Sequence, residues 1–79
     1  MPDPAVEREH LSKAERDITE GEERITRQML LIDRMRRDGH DVTEAERLLV
    51  TFRKTLAVWQ AHRDEILRAL AQDNGLPSR

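Results

Sequence analysis

The chain has 79 residues, a formal net charge of −2 and no cysteine, with 38% charged and 3% aromatic residues. This length allows one small domain. The lack of cysteine excludes disulfides and thiolate metal sites, and so few aromatic residues exclude a thick globular core. A charged chain with a regular apolar stripe is typical of long helices or a coiled coil. The net charge gives no global field that would draw the chain to nucleic acid or to an anionic membrane.

The first predicted helix covers residues 4–38. Asp3 supplies an acceptor at the N-cap and Pro4 suits the first helical position. From there, residues of an inward stripe recur in steps of three and four, which is the heptad pattern of a helix that packs along one side. The stripe consists of Leu11, Ala14, Ile18, Gly21, Ile25, Gln28, Ile32 and Met35.

A turn is predicted at residues 39–41. Gly39 suits the left-handed conformation that ends many helices, because it has no Cβ to clash there. Asp41 and Thr43 are alternative caps for the next helix, since either side chain could accept a hydrogen bond from a free backbone N–H. So short a connection between two long helices predicts that they run antiparallel.

The second predicted helix covers residues 42–73. Residues 74–77 form a stop signal, because Gly75 suits the left-handed position and Pro77 cannot continue a helix. Residues 76–79 are expected to form a frayed tail. The inward stripe of this helix consists of Ala45, Leu49, Phe52, Leu56, Trp59, Arg63, Ile66 and Leu70.

Folding the two stripes together about a turn near residue 40 pairs residues whose numbers sum to about 80. This register places Gly21 opposite Trp59, so that the smallest stripe residue makes room for the largest. The other pairs include Ala14 with Ile66 and Leu11 with Leu70. The predicted fold is therefore all-α, a coiled-coil-like antiparallel hairpin of two helices.

A lone hairpin has a core one layer thick, and small domains without disulfides or metals are marginally stable. Several apolar residues also lie off the inward stripes. We expect two hairpins to form a homodimeric four-helix bundle, while a helix of an unknown protein partner is the alternative occupant of the same surface. The residues predicted to take part in the interaction are Leu30, Leu31, Val50, Ala57, Val58 and Ala61.

Catalytic and metal-binding patterns are incomplete. Glu7 and His10 have the Glu-x-x-His spacing of di-iron helical bundles, but the second helix offers Trp59 and His62 where another such pair is required. No Ser–His–Asp arrangement or glycine-rich loop is present, and a rod two helices wide lacks a pocket of the usual size. We predict no catalytic residue, cofactor or metal site, and no enzymatic activity.

The most basic patch consists of Arg27, Arg34, Arg36 and Arg37. One hypothesis is therefore a small regulator associated with nucleic acid, with these arginines contacting phosphates. Acidic residues around the turn dilute this field. The favoured hypothesis is a non-enzymatic interaction module, a small adaptor or regulator that binds protein through an apolar helical face.

The longest apolar run, residues 29–32, is far too short to cross a bilayer. The first residues lack the basic and apolar regions of a signal peptide. We therefore expect the protein in the cytoplasm, without membrane contact.

Two stretches carry a resemblance to known sequences. Residues 14–22 (AERDITEGE) and residues 38–49, which begin DGHD and end ERLL, resemble small uncharacterised helical proteins of alphaproteobacteria. The resemblance implies a bacterial origin. It adds no activity, cofactor or functional residue.

Overall fold

The computed structural model describes residues 3–73, which form two α-helices joined by a short turn. Helix α1 spans Pro4–Arg37 and helix α2 spans Thr43–Asp73, where the sequence predicts 4–38 and 42–73. The helices pack along each other as a hairpin measuring 57 × 21 × 15 Å, which confirms the predicted fold class. The predicted stop at 74–77 and the predicted tail at 76–79 lie outside the described residues.

Helix α1 begins as its sequence predicts. Asp3 is the N-cap, and its Oδ1 accepts a hydrogen bond from the backbone N–H of Ala5 at 3.0 Å. Pro4 occupies the first helical position, where its missing N–H costs no hydrogen bond. Glu7 lies in the first turn, where the helix dipole favours a negative charge.

The turn begins with a Schellman motif. Gly39 has a φ of +75°, as predicted for the residue that ends the helix. Its N–H donates to the carbonyl of Arg36 at 3.1 Å, and the N–H of His40 donates to the carbonyl of Met35 at 2.8 Å. These bonds satisfy carbonyl groups that the end of α1 would otherwise leave unpaired. A residue with a Cβ would be strained at position 39.

Of the two predicted alternatives, Asp41 and Thr43, it is Asp41 whose side chain caps the start of helix α2. Its Oδ1 accepts hydrogen bonds from the Thr43 hydroxyl at 2.7 Å and from the Thr43 backbone N–H at 2.9 Å. Both bonds hold the pKa of the Asp41 carboxyl below its ordinary value, because they stabilise the ionised form. The bond from the Thr43 hydroxyl has the larger effect.

We expect Asp41→Ala to lower the melting temperature at neutral pH, because the start of α2 loses its acceptor. The folded-state pKa is the lower one, so the stabilisation is fully present above the ordinary aspartate pKa and is lost as the pH falls below it. Thermal melts of the wild type and Asp41→Ala should therefore converge in acid. Asp41→Asn, which retains the acceptor but cannot titrate, is the control. A gap between wild type and Asp41→Ala that is the same at neutral and acid pH would contradict this account.

Both inward stripes face the helix interface, since all sixteen of their residues are buried or half-buried. At the open end of the hairpin, Ala14, Ile66 and Leu70 form a buried cluster, with Leu11 packed against it. The sequence predicts two pairs for that end, Ala14 with Ile66 and Leu11 with Leu70, and the cluster contains all four residues.

A polar contact crosses the interface near the turn. Gln28 is 8% exposed, and its Nε2 donates to the carbonyl of Ala45 at 2.9 Å. A buried amide without a partner is costly, so this bond favours one register of α1 against α2.

The predicted pairing of Gly21 with Trp59 is wrong. A Cβ placed on Gly21 would lie 3.4 Å from Cδ1 of Leu56, with no atom of Trp59 within 4 Å. The wide indole lies instead at the edge of the one-layer interface, where Nζ of Lys13 is 5.4 Å from its ring centroid. The narrower Leu56 fills the space beside the glycine.

Candidate interaction surface

More large apolar side chains are exposed than buried among residues 3–73. The buried apolar residues are Ala14, Ile18, Ile32, Ile66 and Leu70. The exposed large ones are Val6, Met29, Leu30, Leu31, Leu48, Val50, Val58 and Leu67. Single exposed apolar residues are common on proteins, but here the large ones outnumber the buried apolar residues of the described part of the chain.

The six predicted interaction residues are all exposed, but they do not form one patch. Leu30 and Leu31 line a shallow depression together with Arg27, Arg34 and Arg37. The other four lie on the outward half of α2. Their spacing puts Val50, Ala57 and Ala61 on one side and Val58 about a quarter turn away. The prediction that these residues mediate an interaction stays a prediction.

A groove runs along one side of the hairpin, where α1 and α2 meet. Its middle part is lined by Asp17, Glu20, Gly21, Arg24, Phe52, Thr55, Leu56 and Trp59. The part nearer the open end is lined by His10, Lys13, Ala14, Asp17, Trp59 and His62. Since Asp17 and Trp59 belong to both parts, we treat them as one surface and call it the aromatic groove.

The aromatic groove contains both aromatic residues of the chain, each beside a cation from α1. The Arg24 guanidinium lies 5.6 Å from the Phe52 ring centroid, and Lys13 Nζ lies 5.4 Å from that of Trp59. Lys13 also pairs with Asp17 at 2.8 Å. Such cation–π contacts at exposed sites are weak, about 0.5–1 kcal/mol. The cations can therefore move aside when another surface covers the rings.

The opposite side of the hairpin is more polar where α1 meets α2 near the turn. There Arg36 forms an ion pair with Glu46, and Nη2 of Arg53 donates to Sδ of Met29 at 3.8 Å. Across the aromatic groove, no side-chain hydrogen bond or ion pair links the two helices in the part of the chain that the structure describes. The groove side is thus held together mainly by apolar packing.

Sequence reasoning missed this groove. Its polar members, such as Asp17 and Arg24, flank the inward stripe, so a search for apolar residues off the stripe passes over them. A usable signal exists: on α1, His10, Asp17 and Arg24 recur every seven residues on the same flank, and Thr55 and His62 do so on α2.

The histidines lie apart from any recognisable metal site. His10 and His62 both line the aromatic groove, and His10 Nδ1 is 3.7 Å from Oε1 of Glu7. The ring of His62 meets that of Trp59 edge to face, with centroids 6.3 Å apart. Within residues 3–73, no three or more histidine, aspartate or glutamate side chains lie together as a metal site requires.

Fold and surface together define a class: a small antiparallel helical hairpin with an open groove along one side. Neither helix contains a segment apolar enough, over the required length, to span a bilayer. No family model, curated protein or solved structure matches the chain. The resemblance to alphaproteobacterial proteins, and the origin it implies, therefore stay predictions.

Proposed function

We propose that this protein is a non-enzymatic protein–protein interaction module, a small adaptor or regulator that acts through an apolar surface of its helices. Its first partner is a second copy of the chain, so that two hairpins form a four-helix bundle. The observation that carries the proposal is the count of eight exposed large apolar side chains against five buried apolar ones.

The dimensions of the hairpin support association. One side of it is 57 Å long and 21 Å wide. That area exceeds the roughly 800 Å² that each partner buries in a typical stable interface. Burial of apolar surface contributes about 25 cal/mol per Å², so covering such a side adds the second layer of core that a lone hairpin lacks.

Solution mass tests this proposal. The chain has a mass of 9.3 kDa, and light scattering of the wild type at micromolar concentration should give twice that value. Val58 is 66% exposed, so Val58→Glu should leave the hairpin folded by circular dichroism but shift the mass toward that of the monomer. Thr19→Glu, on the exposed outer side of α1, is the control and should remain dimeric. A monomeric wild type at every concentration would contradict self-association.

A second candidate function is nucleic-acid binding through Arg27, Arg34, Arg36 and Arg37. It is favoured by the depression that three of these arginines share. Two observations weigh against it: Arg36 is already paired with Glu46, and two leucines contribute to the lining of the depression. Fluorescence anisotropy with generic DNA and RNA distinguishes the candidates, because phosphate contacts weaken steeply with salt. Binding at low salt that disappears at high salt would favour this second function.

A further inference from the structure

We propose that two copies pair through the aromatic groove, with α1 of one copy antiparallel to α1 of the other and the two turns at opposite ends of the bundle. The proposal rests on the proposed function, and it deepens that function by specifying the partner, the side and the orientation.

The charge distribution of α1 supports this pairing. Residues 4–23 contain seven carboxylates and three cations, a net charge of −4. Residues 24–37 contain five arginines and one aspartate, a net charge of +4. The halves of α2 are almost balanced, with +1 over residues 43–58 and −1 over residues 59–73. The sign on α1 changes between Glu23 and Arg24, close to the middle of the helix.

This distribution selects one orientation of the dimer. When the two α1 helices lie side by side and antiparallel, the acidic half of each faces the basic half of the other. When both turns lie at the same end, the basic half of α1, with +4, faces the first half of α2 of the second copy, with +1. The acidic half of α1, with −4, then faces the second half of that α2, with −1. Facing like charges are unfavourable, and complementary potentials determine register and orientation in protein interfaces.

A row of α1 residues beside the groove places opposite charges at matching positions of the two copies. The residues of this row recur in steps of three and four, so they lie along one flank of the helix. Around a twofold axis near residue 22, Glu20 meets Arg24 of the second copy, and Asp17 meets Arg27 of the second copy. The row consists of Lys13, Asp17, Glu20, Arg24, Arg27 and Leu31, all of which line the aromatic groove or the adjoining depression.

The groove side of the hairpin is better suited to burial than the opposite side. The groove side is lined by Phe52 and Trp59, and apart from the two cation–π contacts no side-chain hydrogen bond or ion pair joins the helices there within the described residues. Leu31, which is 37% exposed, lines the adjoining depression, and Val58 is on the same side of α2 as Thr55 and His62 of the groove, from which it is separated by three and four residues. On the opposite side, a second copy would have to pack over the Arg36–Glu46 and Arg53–Met29 contacts, which join the two helices, whereas the Lys13–Asp17 pair of the groove side lies within α1.

The test uses two single variants, each of which should dimerise weakly alone, while a mixture of the two should dimerise well. Glu20→Arg and Arg24→Glu each place like charges across the proposed twofold axis, twice per dimer. In a mixed dimer, the introduced carboxylate at position 24 of one variant meets the introduced guanidinium at position 20 of the other. The unchanged Glu20 and the unchanged Arg24 also meet, so both contacts are restored. We expect each variant alone to dimerise about tenfold or more weakly than the wild type, and an equimolar mixture to recover near wild-type affinity.

Mixing also excludes a purely intrahelical effect. Residues 20 and 24 are one helical turn apart, so each variant also disturbs a pair within its own α1. Mixing cannot repair that pair, and recovery therefore reports contact between copies. Glu9→Arg and Arg16→Glu, on the outer side of α1, make the same charge changes and should dimerise like the wild type.

Sedimentation equilibrium of the wild type, each variant and the mixture gives the dissociation constants. A dimeric wild type with no recovery in the mixture, or with variants as tight as the wild type, would overturn this geometry and leave the proposed self-association intact. A monomeric wild type would overturn both.

Discussion

Replacing Ile66 with alanine should lower the free energy of unfolding by about 2–5 kcal/mol, the range found for large-to-small changes at buried positions. Ile66 is 4% exposed and lies in the buried cluster with Ala14 and Leu70 at the open end of the hairpin. The one-layer core offers few neighbours that could collapse into the cavity. Since small domains are stable by only about 5–15 kcal/mol, the loss would remove a large share of the free energy of unfolding and lower the melting temperature.

Urea denaturation followed by circular dichroism measures this loss. Leu67→Ala is the matched control, because Leu67 is 44% exposed, follows Ile66 in the chain and belongs neither to the predicted interaction residues nor to the aromatic groove. It should cost well under about 1 kcal/mol, as surface substitutions usually do. Equal losses for the two variants would mean that the apolar stripes do not form the core.

At position 21, a small side chain should raise the free energy of unfolding and a large one should lower it. Gly21→Ala should raise the free energy of unfolding by about 1 kcal/mol, because glycine is a poor residue inside a helix. The added Cβ would lie 3.4 Å from Cδ1 of Leu56, which is ordinary van der Waals contact. Gly21→Leu should lower it by about 1–3 kcal/mol, since the longer side chain must displace Leu56 from the interface.

Melting temperatures of these two variants and the wild type check the local register. If Gly21→Leu were as stable as Gly21→Ala, Leu56 could not occupy the space beside position 21. These two variants thus test the contact between Gly21 and Leu56, which the structure shows in place of the predicted contact between Gly21 and Trp59.

Most of the fold follows from local signals in the sequence. Asp3, Pro4 and Gly39 act within a few residues of themselves, so their roles can be predicted without tertiary structure. The heptad spacing likewise predicts which side of each helix is buried, because burial at a two-helix interface follows helical periodicity. The choice between Asp41 and Thr43 as the cap depends on the backbone path through the turn, which the sequence left open.

Two features could be found only from the three-dimensional structure: the side chain that lies next to Gly21, and the aromatic groove. Adding residue numbers about a central turn treats the stripes as flat rows. Real helices interdigitate, so the side chain next to Gly21 is that of Leu56, three residues before the predicted Trp59. The groove depends on which side of the stripe the rings of Phe52 and Trp59 occupy. Periodicity identifies the stripe but does not distinguish between its two flanks.

The distance between two copies of the turn tests the central claim most directly. The chain contains no cysteine, so His40→Cys allows one spin label to be placed on each turn. Double electron–electron resonance on the labelled protein should then give a label-to-label distance near the 57 Å length of the hairpin, because the proposed dimer places the turns at opposite ends. A distance comparable to the 21 Å width would place both turns at one end, and no dipolar coupling at all would show that the hairpins do not pair.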